Sequence, residues 1–421
     1  MAVIGGDIFM FYTDQSAARI YRVPLDEAAL DRTVDTIRAS ISVYENGQYV
    51  TYPFAIEAAR DLYRALFGPV VDRLAGTRHL IFEPDGAMLR LPVNLLVADD
   101  ASVEQYLDRT EDPGTDDFDF TGVNWLGRDL DVSTAVSARA FADARQAPQS
   151  NASQQYLGMG RNQPVLGSTR VAALRGAEQN QDGQCQWPLS QWNSPISDRE
   201  LLTAQSLVGA QNSELITGAA FTDNSILSRK DIDDFRILHF ATHGLVTAPS
   251  PSCPARPALV TSFGDGGSDG LLAFDEIFDL KLDADIIILS ACDTAGKASI
   301  TATREAGVSS GGGTALDGLV RSFIGAGGRS VLASHWPAPD EFRATERLIS
   351  GLFSDGRGRS IAEALRQSQL DLMGDPVTSH PFYWAGFALI GDGGRPFLPP
   401  SAQLAASSAQ SAAETRAALK P

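Results

Sequence analysis

Apolar residues recur at three- and four-residue steps over 53–76, where Phe54, Ala58, Leu62, Ala65, Leu66 and Val70 mark one face of a helix. Residues 25–41 read as an earlier helix. The run His79-Leu-Ile-Phe reads as a short buried strand closed by the turn Glu83-Pro-Asp-Gly, where proline presets one backbone dihedral and Asp and Gly accept the next two. The Asp-rich stretch 99–120 reads as a surface loop. From about residue 150 the pattern changes to short apolar runs alternating with helices. Strands are expected at 155–159, 213–217, 236–241, 258–262, 286–289, 329–333 and 384–390. Helices are expected at 197–208, 222–229, 272–279, 314–326, 340–353 and 360–373. Ile286-Ile-Ile-Leu289 is apolar at every position, the sign of a strand covered on both faces. This alternation predicts an α/β fold, a mostly parallel sheet flanked by helices. Two Gly/Ser/Pro-rich stretches, 248–270 and 296–313, read as surface loops. The Ala/Ser-rich tail 397–421 is expected to be disordered, and no internal repeat is visible.

Length and composition narrow the function. A chain of 421 residues is long for one core and suggests about two to three packing units. Apolar residues make up 43% and charged residues 20%, as in a soluble globular protein. The net charge of −18 repels phosphate backbones and anionic lipid, which argues against nucleic acid and membrane as partners and favours basic protein segments. No apolar run reaches the roughly 18 residues of a membrane span, and the first residues lack a signal peptide, so the expected location is cytoplasmic. The three cysteines, Cys185, Cys253 and Cys292, match no zinc spacing; Cys185 and Cys253 read as plain loop thiols.

Two segments carry candidate chemistry: Arg236-Ile-Leu-His-Phe-Ala-Thr-His243-Gly244 and Asp285-Ile-Ile-Ile-Leu-Ser-Ala-Cys292-Asp293-Thr-Ala-Gly296. Each is an apolar strand ending in a reactive residue and then a glycine. Sites in open α/β sheets form beyond the carboxyl ends of strands, so His243 and Cys292 meet there if the two strands are neighbours. A free thiol is only a few per cent thiolate at neutral pH, and a nearby imidazole removes the proton. The N–H groups of Gly244 and Cys292 are candidate oxyanion-hole donors. Residue types alone leave alternatives open: Cys292 as a small buried hydrophobe, His243 as a structural histidine. His239 and His243 are four apart like zinc ligands, but the glutamate of that motif is absent and the segment reads as a strand, with His239 a core histidine. Neither a G-x-S-x-G serine elbow nor a phosphate-binding P-loop occurs.

His-Phe-Ala-Thr-His-Gly, followed 49 residues later (292 − 243) by Leu-Ser-Ala-Cys-Asp-Thr, resembles the CHAT domain, a caspase-like cysteine peptidase family related to separase. Five further segments agree in order: Leu80-Ile-Phe-Glu-Pro-Asp-Gly with Leu91-Pro-Val-Asn-Leu-Leu; Asp269-Gly-Leu-Leu-Ala-Phe-Asp-Glu-Ile277; Leu319-Val-Arg-Ser-Phe-Ile-Gly-Ala-Gly-Gly; Val331-Leu-Ala-Ser-His-Trp336-Pro-Ala-Pro-Asp340; and Pro381 to Gly391. The resemblance implies a caspase-like sheet with a degenerate N-terminal half at 1–150 and a catalytic half at 151–396. It implies His243 as general base and acid and Cys292 as nucleophile, with no metal and no cofactor. Asp340, Ser290 and Trp336 would line the first specificity pocket, with Asp340 favouring a basic residue before the cut; Asp340 read alone is equally a helix N-cap. The family's leucine before the tryptophan is His335 here. The loop 296–313 is longer than the family pattern, and Arg304 is its candidate self-cleavage position, the alternative being a plain insertion.

The implied function is a cysteine endopeptidase that cleaves a protein partner and is regulated by a loop or a separate sensor, since helical repeats that often precede the domain are missing from this sequence. The alternatives are a silent interaction module with the same fold, or an acyltransferase using the same pair. The resemblance further implies a place in bacterial defence or regulated cell death.

Overall fold

A computed structural model of the protein describes residues 1–45, 48–165, 187, 189–245, 257–264, 267–290, 318–339 and 341–399. The chain opens with an antiparallel three-stranded sheet, β1 (Ala2–Ile4), β2 (Asp7–Thr13) and β3 (Ala18–Asp26). The apolar pattern does not announce these strands, because Ile8 and Met10 point inward while Phe11 and Ile20 are exposed on the other face. Helix α1 (Glu27–Ile41) follows, capped by Asp26, whose carboxylate accepts from the Ala29 N–H at 2.7 Å. A hairpin, β4 (Val43–Glu45) and β5 (Gln48–Val50), leads to α2 (Ile56–Phe67). The helix expected over 53–76 breaks after Phe67, where Pro69 has no N–H to donate. A 3-10 turn, Gly68–Val70, and a short turn, Val71–Leu74, continue it.

After β6 (His79–Phe82), the stretch read as a surface loop holds a helix, α3 (Asp100–Thr110). Asp99 caps it by accepting from the Ser102 N–H at 2.9 Å, and Val103 and Tyr106 turn inward. The aspartates that suggested a loop are in part a helix start. Next come β7 (Asp131–Thr134), α4 (Ala138–Gln146), β8 (Gln154–Asn162), α5 (Arg199–Val208), β9 (Ser213–Gly218), β10 (Phe235–Ala241), β11 (Gly244–Leu245), β12 (Ala258–Val260) and β13 (Leu271–Ala273). The chain then forms α6 (Phe274–Asp279), β14 (Ile286–Ser290), α7 (Gly318–Gly325), β15 (Ser330–Ser334), α8 (Ala344–Asp355), α9 (Ile361–Met373) and β16 (Phe387–Gly391). The last strand starts later than expected because Pro381–Trp384 forms a short helix capped by His380. The stretch 248–270 is not loop throughout, since it contains the buried strand β12.

Eight strands form one sheet in the order β6-β7-β16-β15-β14-β10-β8-β9. Every neighbouring pair is parallel except β15 and β16. Five strands therefore run one way and three the other, and strands from both sides of residue 150 share the sheet. The expected mixed α/β architecture, a mostly parallel sheet with flanking helices, is what the chain adopts. Residues alternate between two cores: Ile237, Ile286, Ile288 and Leu332 pack with α8 and α9, while Leu238, Phe240, Ile287 and Leu289 pack with α6 and α7. This double coverage is why β14 is apolar at successive positions. Phe397 and Leu398, at the expected start of the tail, are buried; Phe397 lies 5.1 Å from Phe353, and the Leu398 carbonyl accepts from Gly358.

Candidate active site

Strands β10 and β14 are direct parallel neighbours, with Ile237 opposite Ile286 and Ala241 opposite Ser290. His243 follows the first pairing end by two residues, and Cys292 follows the second by two. The neighbour relation required of the two motif strands thus holds among described residues. Cys292 itself lies outside them, as do Cys185, Cys253, Gly296, Arg304, Asp340 and the loop 296–313.

His243 is half-buried. Its Nε2 lies 2.6 Å from the backbone carbonyl of Ser194. A carbonyl only accepts, so Nε2 carries the proton and Nδ1 keeps its lone pair. That is the tautomer a general base needs. The His243 carbonyl accepts from the Val260 N–H at 2.9 Å, and Gly244 opens β11 opposite Leu259. The chain leaving the histidine is thereby held as a strand.

Ser290 ends β14 and is buried; its hydroxyl donates to Glu200 Oε2 at 3.0 Å. Trp336, just past β15, is buried too: its indole N–H donates to the Phe382 carbonyl at 2.9 Å, and its ring fills the space a side chain at Gly386 would need. His335 beside it is fully enclosed. Burial, and secondarily the Arg38 guanidinium, push its imidazole down to about 3, so it is neutral. The Arg38 guanidinium donates to the Arg90 and His335 carbonyls and so braces α1 against the end of β15.

Sequence reasoning missed Ser194, Glu200 and Tyr156. Ser194 acts through its backbone and leaves no signature. Glu200 leaves one faint signal, a charged residue that shares the inward face of α5 with Ala204 and Val208. His239, read as a core histidine, is fully buried, and the Tyr156 hydroxyl lies 2.9 Å from its Nδ1. Among the described residues, no group of three or more His, Cys, Asp and Glu is arranged to hold a metal ion. No helix among them is long and apolar enough to cross a membrane.

The CHAT domain family model matches residues 57–392. The chain belongs to the CHAT domain family. Among curated proteins, human tetratricopeptide repeat protein 28 is 27% identical over 229 residues, 47% of this chain and 8% of that protein, so the matched region is a small part of that relative's length. Among solved structures, the Saccharomyces cerevisiae separase–securin complex matches 64% of this chain and 14% of its own at 14% identity and a TM-score of 0.36. The Arg-specific cysteine proteinase gingipain R matches 87% of this chain and 75% of its own at 9% identity and a TM-score of 0.42.

Proposed function

We propose that this CHAT protein is a cysteine endopeptidase that cleaves a protein partner. The observation that carries the reading is the parallel pairing of β10 and β14, whose last partners, Ala241 and Ser290, each precede a motif residue by two positions. In this reading His243 Nδ1 takes the Cys292 thiol proton, and the thiolate attacks the scissile carbonyl. The Gly244 and Cys292 N–H groups hold the oxyanion, each donor contributing about 3–4 kcal/mol to the barrier. His243 returns the proton to the leaving amine, and water, deprotonated by the same imidazole, releases the acid and regenerates the thiol. Asp340, with Ser290 and Trp336 nearby in sequence or strand order, is the proposed determinant of a basic residue before the cut. Arg304 is the proposed self-cleavage position in the 296–313 loop. The net charge of −18 supports a partner presenting a basic segment, and the proposed compartment is the cytoplasm.

The test is a panel of peptide electrophiles carrying Arg, Lys or Leu next to the warhead, with the adduct located by mass spectrometry. Labelling of Cys292 that disappears in His243→Ala supports the peptidase. Labelling of Cys253 instead, or none, favours a silent interaction module. Incubation of the wild type beside Cys292→Ala reports on the loop: a fragment boundary near residue 304 in the wild type alone supports self-cleavage, and intact chains in both reject it.

A further inference from the structure

The face of the sheet under α5 holds a polar chain that the proposed chemistry does not use. Glu200 is buried, and its Oε2 accepts from the Ser290 hydroxyl at 3.0 Å. Its Oε1 faces His239 Nε2 at 3.5 Å, and neither of these two atoms has a hydrogen-bond partner or reaches solvent. On the far side of the ring, the Tyr156 hydroxyl lies 2.9 Å from His239 Nδ1. The proton order follows from the end groups. A carboxylate at Glu200 only accepts, so Ser290 donates to Oε2, and a neutral His239 that turns Nε2–H toward Oε1 leaves Nδ1 to accept from Tyr156.

The backbone makes room for this chain. A Cβ at Gly158 would stand 2.8 Å from the Tyr156 hydroxyl and 2.6 Å from Leu215 Cδ2. Phe353 closes the outer side, its ring centroid 6.4 Å from that of His239 and nearly parallel to it. A buried carboxylate is costly unless its charge is matched by donors, and an apolar residue would suit this face of α5 better for stability alone. What Glu200 touches explains its presence. His239 sits on β10 four residues before His243, and Ser290 ends β14 two residues before Cys292. One carboxylate is hydrogen-bonded to the end of β14 and faces His239 of β10, the two strands whose continuations carry the reactive pair.

We propose that Glu200 is a positioning residue, which acts through His239 and Ser290 to fix the carboxyl ends of β10 and β14 relative to each other. This rests on the peptidase reading. Glu200→Gln keeps the shape but places an amide N–H against His239 Nε2–H or the Ser290 hydroxyl, which reverses the proton order. Ser290→Ala removes one arm, and Ser290→Thr keeps the hydroxyl.

The experiment measures the second-order rate at which a peptidyl acyloxymethyl ketone labels Cys292 in the full chain, well below each variant's unfolding midpoint. Glu200→Gln and Ser290→Ala should each slow labelling by about tenfold or more, because small misplacements of reacting groups are costly. The double variant should be no slower than the slower single one, since both cut the same link, and Ser290→Thr should restore most of the rate. A merely structural role would lower the unfolding midpoints and leave the folded protein's rate within about twofold; that result, or losses that multiply in the double variant, overturns the proposal. If wild-type Cys292 is not labelled at all, the peptidase reading fails, and the nitrogen-15 spectrum of His239 decides the bridge. A neutral Nε2–H ring in wild type that changes tautomer in Glu200→Gln upholds it, and an Nδ1–H ring in wild type overturns it.

Discussion

The imidazole of His243 donates through Nε2 to the Ser194 carbonyl at 2.6 Å, and the turn that presents this carbonyl is itself tied at two points through Trp192. Ser194 ends the short helix Ser190–Asn193. Within it, Trp192 donates its indole N–H to the Gly270 carbonyl at 3.0 Å, and its own carbonyl accepts from the Asn162 amide at 2.8 Å. Asn162 ends β8, so the orientation of His243 is referred back to the sheet. Asn162→Ala should cost about 1–3 kcal/mol in stability, since a buried acceptor loses its donor. If His243 is the base of the proposed peptidase, this substitution should also lower kcat by about tenfold with little change in KM, because the imidazole is misaligned while the substrate surface is intact. Steady-state kinetics with a fluorogenic peptide, alongside denaturant titration, checks both. His243→Gln should lose about 10²–10⁴ in kcat at unchanged fold.

Specificity is a separate matter from reactivity. If Asp340 binds a basic side chain, an Arg probe labels Cys292 faster than a Leu probe. Asp340→Ala should then erase the difference while leaving the Leu rate within about twofold, because only the charge-assisted contact is removed. Raising salt should narrow the Arg advantage in the wild type, since a surface of net charge −18 gathers cationic ligands by a field that ions screen. An Arg preference that survives Asp340→Ala assigns the pocket to other residues.

The close approach of β8 to β10 depends on a missing side chain. A Cβ at Gly160 would lie 2.2 Å from the Ala241 carbonyl oxygen, a backbone atom that cannot swing aside. Gly160→Ala must part the two strands at the end that positions His243. A stability loss of about 3 kcal/mol or more is expected, at the upper end for an overpacked core. Labelling of Cys292 should fall with it even where the variant remains folded. Thermal melts with labelling at low temperature separate the two effects.

How much of this was legible beforehand follows from which signals are local. The run Ile286 to Leu289 announced a strand covered on both faces, whereas its pairing with β10 stood only as a condition for the two motif ends to meet, one that the structure meets. The N-terminal strands were not, because β2 and β3 leave Phe11 and Ile20 outward, so the apolar alternation reads on both faces. The helix Asp100–Thr110 was lost because aspartate serves equally in loops and at helix starts. At the site, His243 stood out by residue type and neighbouring glycine. Its orienting partner did not, since any residue at 194 offers the same carbonyl. Glu200 was hidden differently: a glutamate in a helix is ordinary, and only its position on the inward face marks it.

Two buried histidines predict an acid sensitivity distinct from the candidate active site. Burial holds His335 down to about 3, with the Arg38 guanidinium adding to it. Burial also holds His380 down to about 3, even though the Tyr52 carbonyl, 3.0 Å from its Nε2, favours the charged form. Both rings stay neutral in the folded protein over a range in which the unfolded chain, with histidines near 6.5, takes up protons. Their contribution is complete above about pH 6.5 and declines as pH falls toward about 3, at roughly 1.4 kcal/mol per pH unit for each ring. At about pH 5 that amounts to ~2 kcal/mol per histidine. Carboxylates held low, such as Asp99, Asp119 and Asp283, make their loss only below the ordinary carboxylate range. Glu276 and Asp371, raised by burial, act in the opposite sense. The clean readout is therefore a difference between variants. His380→Gln keeps a donor for Tyr52 and an acceptor for the Phe382 N–H but cannot titrate. It should be less stable than wild type at neutral pH, with a gap that shrinks by ~2 kcal/mol by about pH 5 in denaturant titrations. A gap that stays constant over that range would mean that the folded protein already binds the proton at His380.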